Sequence, residues 1–197
     1  MLIKKKISVI DVCAQNIFKK NKKKFIKKNP KILIIGTDEN KNLTNIFNSV
    51  KNIKCELSII GILSKDNIYA LNELNINYKN FINLKNKEII KQYNECDILL
   101  FPSKYEGFGV PILEAQSVGR IVVTSKLEPM QSVGGNGALY VNPNSVKNIR
   151  EGILKVINSS HIRNDIISNG FKNIKRFDKN KILQDYLSCY KEVLKNY

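Results

Sequence analysis

Two glutamates flank a glycine-containing segment in the middle of the chain. Glu106 precedes Gly107 and Gly109, and Glu114 follows them after Pro111, so that seven residues separate the two acids. The glycines permit a tight turn and the close approach of a ligand to the backbone. Pro111 is typical of the first turn of a helix, whose free N–H groups and dipole favour an anion such as a pyrophosphate.

The two acids are expected to contact hydroxyl groups beside this anion site, because a carboxylate repels a phosphate. A sugar nucleotide combines both features, since it carries hydroxyls on its hexose and ribose and a pyrophosphate between them. A Gly-x-Gly turn or a glutamate near a helix start is, taken singly, a common structural feature. Only their combination favours a sugar-nucleotide site.

Apolar patterns predict strands and helices that alternate along the chain. The predicted strands are Ile32–Ile35, Glu56–Gly61, Tyr78–Ile82, Asp97–Phe101, Arg120–Thr124 and Ala138–Val141, with a further short strand at Ile7–Ile10. The predicted helices are Asn42–Val50, Asn67–Leu74, Glu88–Tyr93, Pro111–Val118, Val146–Ile157, His161–Ile174 and Lys181–Leu194. This alternation predicts an α/β fold with a mostly parallel sheet, helices on both faces and a helical C-terminus, in which ligands bind beyond the carboxyl ends of the strands.

The central segment resembles the E-x7-E signature of retaining glycosyltransferases of family 4, commonly Y-E-G-F-G-x-P-x-L-E-A. It reads YEGFGVPILEA from Tyr105 to Ala115. The family's lead-in to this motif resembles Cys96–Ser103 (CDILLFPS), and two later family motifs are similar to Gly119–Ser125 (GRIVVTS) and Gly135–Pro143 (GNGALYVNP). The opening V-G-T-x-x-x-K-N-L of some members resembles Ile35–Leu43 (IGTDENKNL). The resemblance extends from about Ile32 to the C-terminus.

The resemblance implies a GT-B architecture of two Rossmann-like domains with the active site between them. Residues 31–197 would form the C-terminal domain, which binds the nucleotide sugar, and residues 1–30 look like a basic interdomain linker. By this resemblance, residues 1–197 would contain the donor-binding half alone, without the acceptor domain of the family. The family needs neither a metal nor a cofactor, and no D-x-D motif is present here.

The resemblance also implies a role for individual residues. Glu106 would be the catalytic residue, holding hydroxyls of the donor hexose and stabilising an oxocarbenium-like transition state. Glu114 would bind the ribose hydroxyls, and Lys41 would neutralise the departing diphosphate. The remaining substrate-binding residues would be Gly36, Thr37, Asn83, Leu84, Gly107, Phe108, Gly109 and Val110. Thr37 and Asn40 stand where the family usually has an arginine. Of the two basic residues that the family uses to bind the diphosphate, the sequence therefore retains only Lys41.

The chain is strongly basic, with 33 Lys and Arg against 17 Asp and Glu and a net charge of +16. This excess suits a phosphorylated ligand or an anionic membrane surface, although a composition rich in Lys, Asn and Ile accounts for much of it. Lys19–Lys28 is interpreted as a solvated linker, and Lys104 and Arg120 as surface charges. No nucleic-acid-reading motif is present. Four widely spaced cysteines without a C-x-x-C pair indicate reduced thiols in a cytoplasmic protein.

We therefore expect a metal-independent, retaining hexosyltransferase that uses a UDP- or GDP-hexose and a glycan or glycolipid acceptor in surface polysaccharide or lipopolysaccharide biosynthesis. Its location would be cytoplasmic, at the inner face of the membrane. The candidate partners are the sugar nucleotide, a separate acceptor-domain chain, an anionic membrane surface and a second copy of the chain. One alternative is a truncated, non-catalytic nucleotide-sugar-binding subunit or remnant without the acceptor domain. Another is an electrostatic binder of anionic lipid or nucleic acid.

Overall fold

The computed structural model describes residues 8–13 and 17–195, which form an α/β unit around one parallel sheet. The strands are β1 Lys31–Ile35, β2 Glu56–Ile60, β3 Tyr78–Phe81, β4 Ile98–Phe101, β5 Ile121–Ser125 and β6 Leu139–Val141. They lie in the order β3-β2-β1-β4-β5-β6, and each neighbouring pair is parallel. The predicted parallel sheet is confirmed, as are its six strands from Ile32 onwards.

Helices connect these strands and cover the sheet. They are α1 Leu43–Val50, α2 Lys65–Glu73, α3 Asn86–Glu95, α4 Val110–Val118, α5 Met130–Gly134, α6 Val146–Asn158, α7 Ser160–Asn173 and α8 Lys179–Lys195. The short helix α5 was not predicted. The strand predicted at the N-terminus is wrong for residues 8–10, which pair with no strand and leave Val9 90% exposed; residue 7 lies outside the described residues.

The sheet carries an apolar layer on each face, because successive side chains of a strand point to opposite sides. Ile32 and Ile34 of β1 belong to one layer, together with residues of α1 and α6. Leu33 belongs to the other, together with residues of α3, α4 and α5. All four residues of β4 are buried. This is expected for a central parallel strand covered on both faces.

The strand order reverses between β1 and β4. From β1 the sheet grows outward through β2 and β3, and from β4 it grows in the opposite direction through β5 and β6. The loops that leave β1 and β4 therefore diverge, and they leave a crevice at the carboxyl edge of the sheet where ligands bind in such folds. These loops, residues 36–42 and 102–109, contain most of the predicted site residues.

The basic segment before β1 packs against the sheet and its helices. Phe18 is buried and meets the Tyr93 ring edge-on at 5.1 Å between centroids. Lys23 forms an ion pair with Asp97, and Phe25 lies under the Arg163 guanidinium at 4.2 Å. The interpretation as a solvated linker is thus wrong for this anchored part, whereas most of its lysines are exposed. The domain boundary at residue 30 stays a prediction.

The C-terminal helix α8 is amphipathic, and most of its apolar face is exposed. Ile182 is its buried residue. The exposed apolar residues are Leu183, Tyr186, Leu187, Tyr190, Val193 and Leu194. None of the helices in the described part of the chain combines the length and the apolar character that a bilayer crossing requires.

Candidate functional site

The loop after β1 folds back over its own glycine. Gly36 has a φ of +85°, and a Cβ atom there would lie 2.7 Å from Cε of Lys41. Both the backbone conformation and the crowding therefore require glycine. A 3-10 turn at Glu39–Lys41 brings the lysine side chain back across this point, with its Nζ atom 5.0 Å from the centre of the Phe101 ring. The chain thus holds one cation directly over the carboxyl ends of β1 and β4.

The loop after β4 ends in the predicted helix start. Gly109 adopts a left-handed conformation (φ +102°) as the residue before α4, and no side chain caps this helix. Pro111 occupies its first turn. Gly107 is exposed, and a Cβ atom there would meet nothing within 4 Å. The helix dipole and first-turn amides can therefore attract an anion that enters the crevice.

The two loops meet through an ion pair between two predicted site residues. Nζ of Lys41 lies 2.6 Å from Oε1 of Glu106, and the two side chains are 16% and 12% exposed. The Asn40 amide donates to the same carboxylate oxygen at 3.3 Å and to the Tyr105 carbonyl at 3.0 Å. The structure thus brings together the residues implied to bind the diphosphate and the hexose, and in this structure they bind each other.

A buried asparagine connects the same loops through hydrogen bonds to their backbone. Asn42 has a φ of +63° and begins α1. Its side-chain amide donates to the Pro102 carbonyl at 3.1 Å and to the Pro143 carbonyl at 2.7 Å. These bonds connect the loops after β1, β4 and β6.

Glu114 lies one turn into α4 and faces α3. The hydroxyl of the fully buried Tyr93 donates to its Oε2 atom at 2.5 Å. Burial raises the pKa of the Glu114 carboxyl above its ordinary value, while the hydrogen bond from Tyr93 lowers it in part. Burial and the neighbouring Glu114 charge raise the pKa of Tyr93 well above its ordinary value. The phenol therefore stays a hydrogen-bond donor and orients the carboxylate.

The other predicted residues occupy separate positions around the crevice. The Thr37 hydroxyl donates to the Ile62 carbonyl at 2.7 Å, and the threonine lines a cavity of about 460 Å³ beside the loop after β1. Asn83 and Leu84 follow β3, which lies two strands away from β1, a lateral distance of roughly 10 Å. They do not join the pair formed by Lys41 and Glu106. A ligand that contacted both places would have to span about this distance.

The remaining residues of the motif set the position of α4. The ring of Phe108 packs edge-on against Phe177 at 6.0 Å between centroids, and half-buried Val110 begins the helix. Sequence reasoning gave no role to two groups that orient the glutamates, the Asn40 amide and the Tyr93 hydroxyl. Asn40 stood out only as a departure from the family pattern, and nothing in the sequence marks Tyr93. Among the described residues, no three His, Cys, Asp or Glu side chains cluster as metal ligands would.

Comparison with known proteins identifies a family and several relatives that this chain resembles. The family model described as Glycosyl transferases group 1 matches residues 15–173. N,N'-diacetylbacillosaminyl-diphospho-undecaprenol alpha-1,3-N-acetylgalactosaminyltransferase of Campylobacter jejuni is 26% identical over 177 residues, which are 87% of this chain and 47% of that protein. O-antigen chain mannosyltransferase B of Escherichia coli is 33% identical over 99 residues, 50% of this chain and 26% of that protein. The chain thus spans less than half of the length of these curated relatives.

Solved structures share the fold at low sequence identity. Sucrose-phosphate synthase of Thermosynechococcus elongatus matches 94% of this chain and 52% of its own with a TM-score of 0.81 at 16% identity. The C-terminal domain of the group 1 protein LpcC of Francisella tularensis matches 81% of this chain and 95% of its own, with a TM-score of 0.67 at 20% identity. The expected GT-B-type fold is confirmed. Because the family model covers the whole sheet and both glutamates of the motif, the chain belongs to the group 1 glycosyl transferases.

Proposed function

We propose that this chain is the donor-binding half of a retaining, metal-independent glycosyltransferase of family 4 that transfers a hexosyl group from a UDP- or GDP-sugar. The observation that carries the proposal is the meeting of Lys41 and Glu106 beside the uncapped start of α4, with Glu114 one turn further along. A cation, a helix start and two acids are the groups that a diphosphate and two sets of hydroxyls require.

In the proposed reaction, the bond between the anomeric carbon and the diphosphate oxygen breaks. A hydroxyl of the acceptor bonds to that carbon from the same face of the sugar, and its proton passes to the departing diphosphate oxygen. Lys41 would leave Glu106 and pair with the departing diphosphate, whose negative charge the start of α4 also stabilises. Glu106, released from its lysine, would accept hydrogen bonds from the hexose and stabilise the positive charge that develops on the ring. Glu114 would hold the ribose.

The names of the relatives support a choice of sugar and of pathway. The named proteins are an N-acetylgalactosaminyltransferase and mannosyltransferases of O-antigen chains. These names support UDP-N-acetylgalactosamine and GDP-mannose as the first donors to test, and surface polysaccharide or lipopolysaccharide as the product. The alternative of a non-catalytic remnant is not favoured, because the named relatives are transferases.

Isothermal titration calorimetry with UDP- and GDP-sugars tests the proposal. We expect the wild-type chain to bind at least one of them, and Glu114→Ala to weaken binding about tenfold, the loss expected for a carboxylate that accepts hydrogen bonds from a ligand. Glu151→Ala is the control, because Glu151 is an exposed glutamate on α6. A folded wild-type chain that binds none of the sugar nucleotides would rule out the proposal.

We further infer that the crevice needs a covering partner. Ile62 and Tyr105, which lie beside it, are 75% and 66% exposed. Apolar groups at this edge favour a protein surface, and an acceptor-binding half on another chain or a second copy of this chain would supply it. Co-purification from the native host, with identification of the bound chain, tests this. Recovery of the chain alone and monomeric would contradict it.

An anionic membrane surface is the second partner that we propose. Lys19, Lys22, Lys24, Lys27 and Lys28 are exposed on the anchored basic segment, and each lysine near an anionic bilayer contributes about 1 kcal/mol. One relative is named for a diphospho-undecaprenol substrate, which carries a lipid chain. We expect sedimentation with phosphatidylglycerol vesicles but not with phosphatidylcholine vesicles, and its loss at high salt. Equal binding to both vesicles would contradict the proposal.

A further inference from the structure

Asn40 connects the two loops of the crevice through both its side chain and its backbone. Its amide donates to the Tyr105 carbonyl at 3.0 Å and to Oε1 of Glu106 at 3.3 Å. Its own carbonyl accepts from the Lys104 amide at 2.8 Å. The residue therefore contacts three successive positions of the loop that bears the glutamate.

In the proposed function, the neighbouring lysine turns from Glu106 to the diphosphate when the sugar nucleotide binds. Lys41 pairs with the same Glu106 oxygen that accepts from Asn40. If the lysine moves to the diphosphate, the carboxylate loses its closest donor. The Asn40 amide then remains as the group that fixes the direction of this side chain.

We propose that Asn40 is a positioning residue, which holds Glu106 and its loop in the orientation that receives the hexose after Lys41 has turned to the diphosphate. This inference rests on the proposed function. An amide suits the task because it carries no charge and does not compete with Lys41 for the phosphates.

The test compares a sugar nucleotide with its bare nucleotide. Affinities for UDP-N-acetylgalactosamine and UDP, and for GDP-mannose and GDP, are measured by calorimetry. The ratio within a pair gives the contribution of the sugar. We expect Asn40→Ala to reduce this ratio about three- to tenfold, the range for one hydrogen bond, and to change the nucleotide affinity less than twofold. Asn48→Ala, which removes an amide bonded to the Thr44 carbonyl on exposed α1 surface, should change neither.

A double-mutant cycle separates positioning from a general structural role. If Asn40 acts through Glu106, Asn40→Ala should have no further effect on the ratio in a Glu106→Ala background, which lacks the oxygen that accepts from Asn40. An equal loss for nucleotide and sugar nucleotide, or an undiminished effect in the Glu106→Ala background, would overturn the inference. A wild-type chain that binds no sugar nucleotide would instead overturn the proposed function.

A measurement on the wild-type chain covers the case of an unstable variant. The side-chain amide resonances of Asn40 can be followed by nuclear magnetic resonance during titration with each nucleotide and its sugar. We expect UDP or GDP to shift them, because Lys41 leaves the shared Glu106 oxygen, and UDP-N-acetylgalactosamine or GDP-mannose to add a further shift when the hexose binds. Identical shifts with both ligands would contradict a role that depends on the sugar.

Discussion

Each end of β4 has an acid paired with a lysine, but the two acids are held differently. Before the strand, Asp97 accepts from the Lys31 backbone amide at 2.9 Å and the Ile26 backbone amide at 3.3 Å, besides its ion pair with Lys23. After the strand, Glu106 is held by two side chains, those of Lys41 and Asn40. Backbone donors cannot leave without breaking the fold, whereas side chains can turn to a ligand. The first pair is therefore structural and the second is exchangeable.

The largest expected effect is on the free energy of unfolding, and it should appear only for the acid before β4. Asp97 has 1% of its side chain exposed, so that Asp97→Ala leaves buried donors unpaired and should lower the free energy of unfolding by about 3 kcal/mol. Glu106→Ala should cost about 1 kcal/mol or less, because Lys41 can turn to the solvent of the crevice. Urea denaturation measures both. Equal losses of unfolding free energy in the two variants would contradict the distinction between a structural and an exchangeable pair.

A smaller effect should appear in nucleotide binding at the carboxyl end. Glu106→Gln keeps the shape of the side chain and removes the charge that holds Lys41. We expect this variant to bind UDP or GDP about threefold more tightly than wild type, an increase of about 0.6 kcal/mol in binding free energy, which is within the range of a partly exposed ion pair. The ratio of the sugar-nucleotide affinity to the nucleotide affinity should fall. Calorimetry with the bare nucleotides checks this. Unchanged UDP affinity in Glu106→Gln would show that the ion pair does not compete with the ligand.

Lys41→Met removes the cation, and we expect it to weaken the binding of the same nucleotides.

The strands and the central motif could be predicted because their signals are local. Apolar runs ending at Gly36 and at Pro102 identified β1 and β4, and the glycines and proline around position 110 identified the start of α4. The alternation of elements then placed both loops at one edge of the sheet. The meeting of Lys41 with Glu106 depends on the strand order, which sequence periodicity does not contain.

Two sites show why other features could not be predicted. Arg120, interpreted as a surface charge, is 4% exposed and donates to the carbonyls of Tyr93, Asn94 and Asn21. Its partners come from distant segments, and no local pattern reveals them. Tyr93 lies on the buried face of α3 like any core residue, and only the packing of α3 against α4 turns its hydroxyl toward Glu114. The spacing of residues in the sequence does not predict hydrogen bonds between distant segments of the chain.

The smallest predicted effect concerns pH and the bond between Tyr93 and Glu114. Because burial raises the pKa of Glu114, the folded chain retains a proton that an unfolded glutamate releases near pH 4. Its contribution to stability is therefore present below that pH and is lost as the pH rises through the raised pKa. Ribose hydroxyls would donate to the ionised form, so nucleotide binding should weaken as the pH falls through the same range.

Tyr93→Phe removes the hydrogen bond that favours ionised Glu114, and the pKa of this carboxyl should rise further. The pH at which UDP affinity begins to fall should move upward, with a loss of about twofold on the acidic side of the titration that disappears once Glu114 is fully ionised. Tyr140→Phe is the matched control, since its hydroxyl donates to the Gly135 carbonyl at 2.5 Å and contacts neither glutamate of the crevice. Calorimetry across this pH range distinguishes the two cases. A loss of equal size at every pH would mean that Tyr93 supports the packing of α4 and leaves the ionisation of Glu114 unchanged.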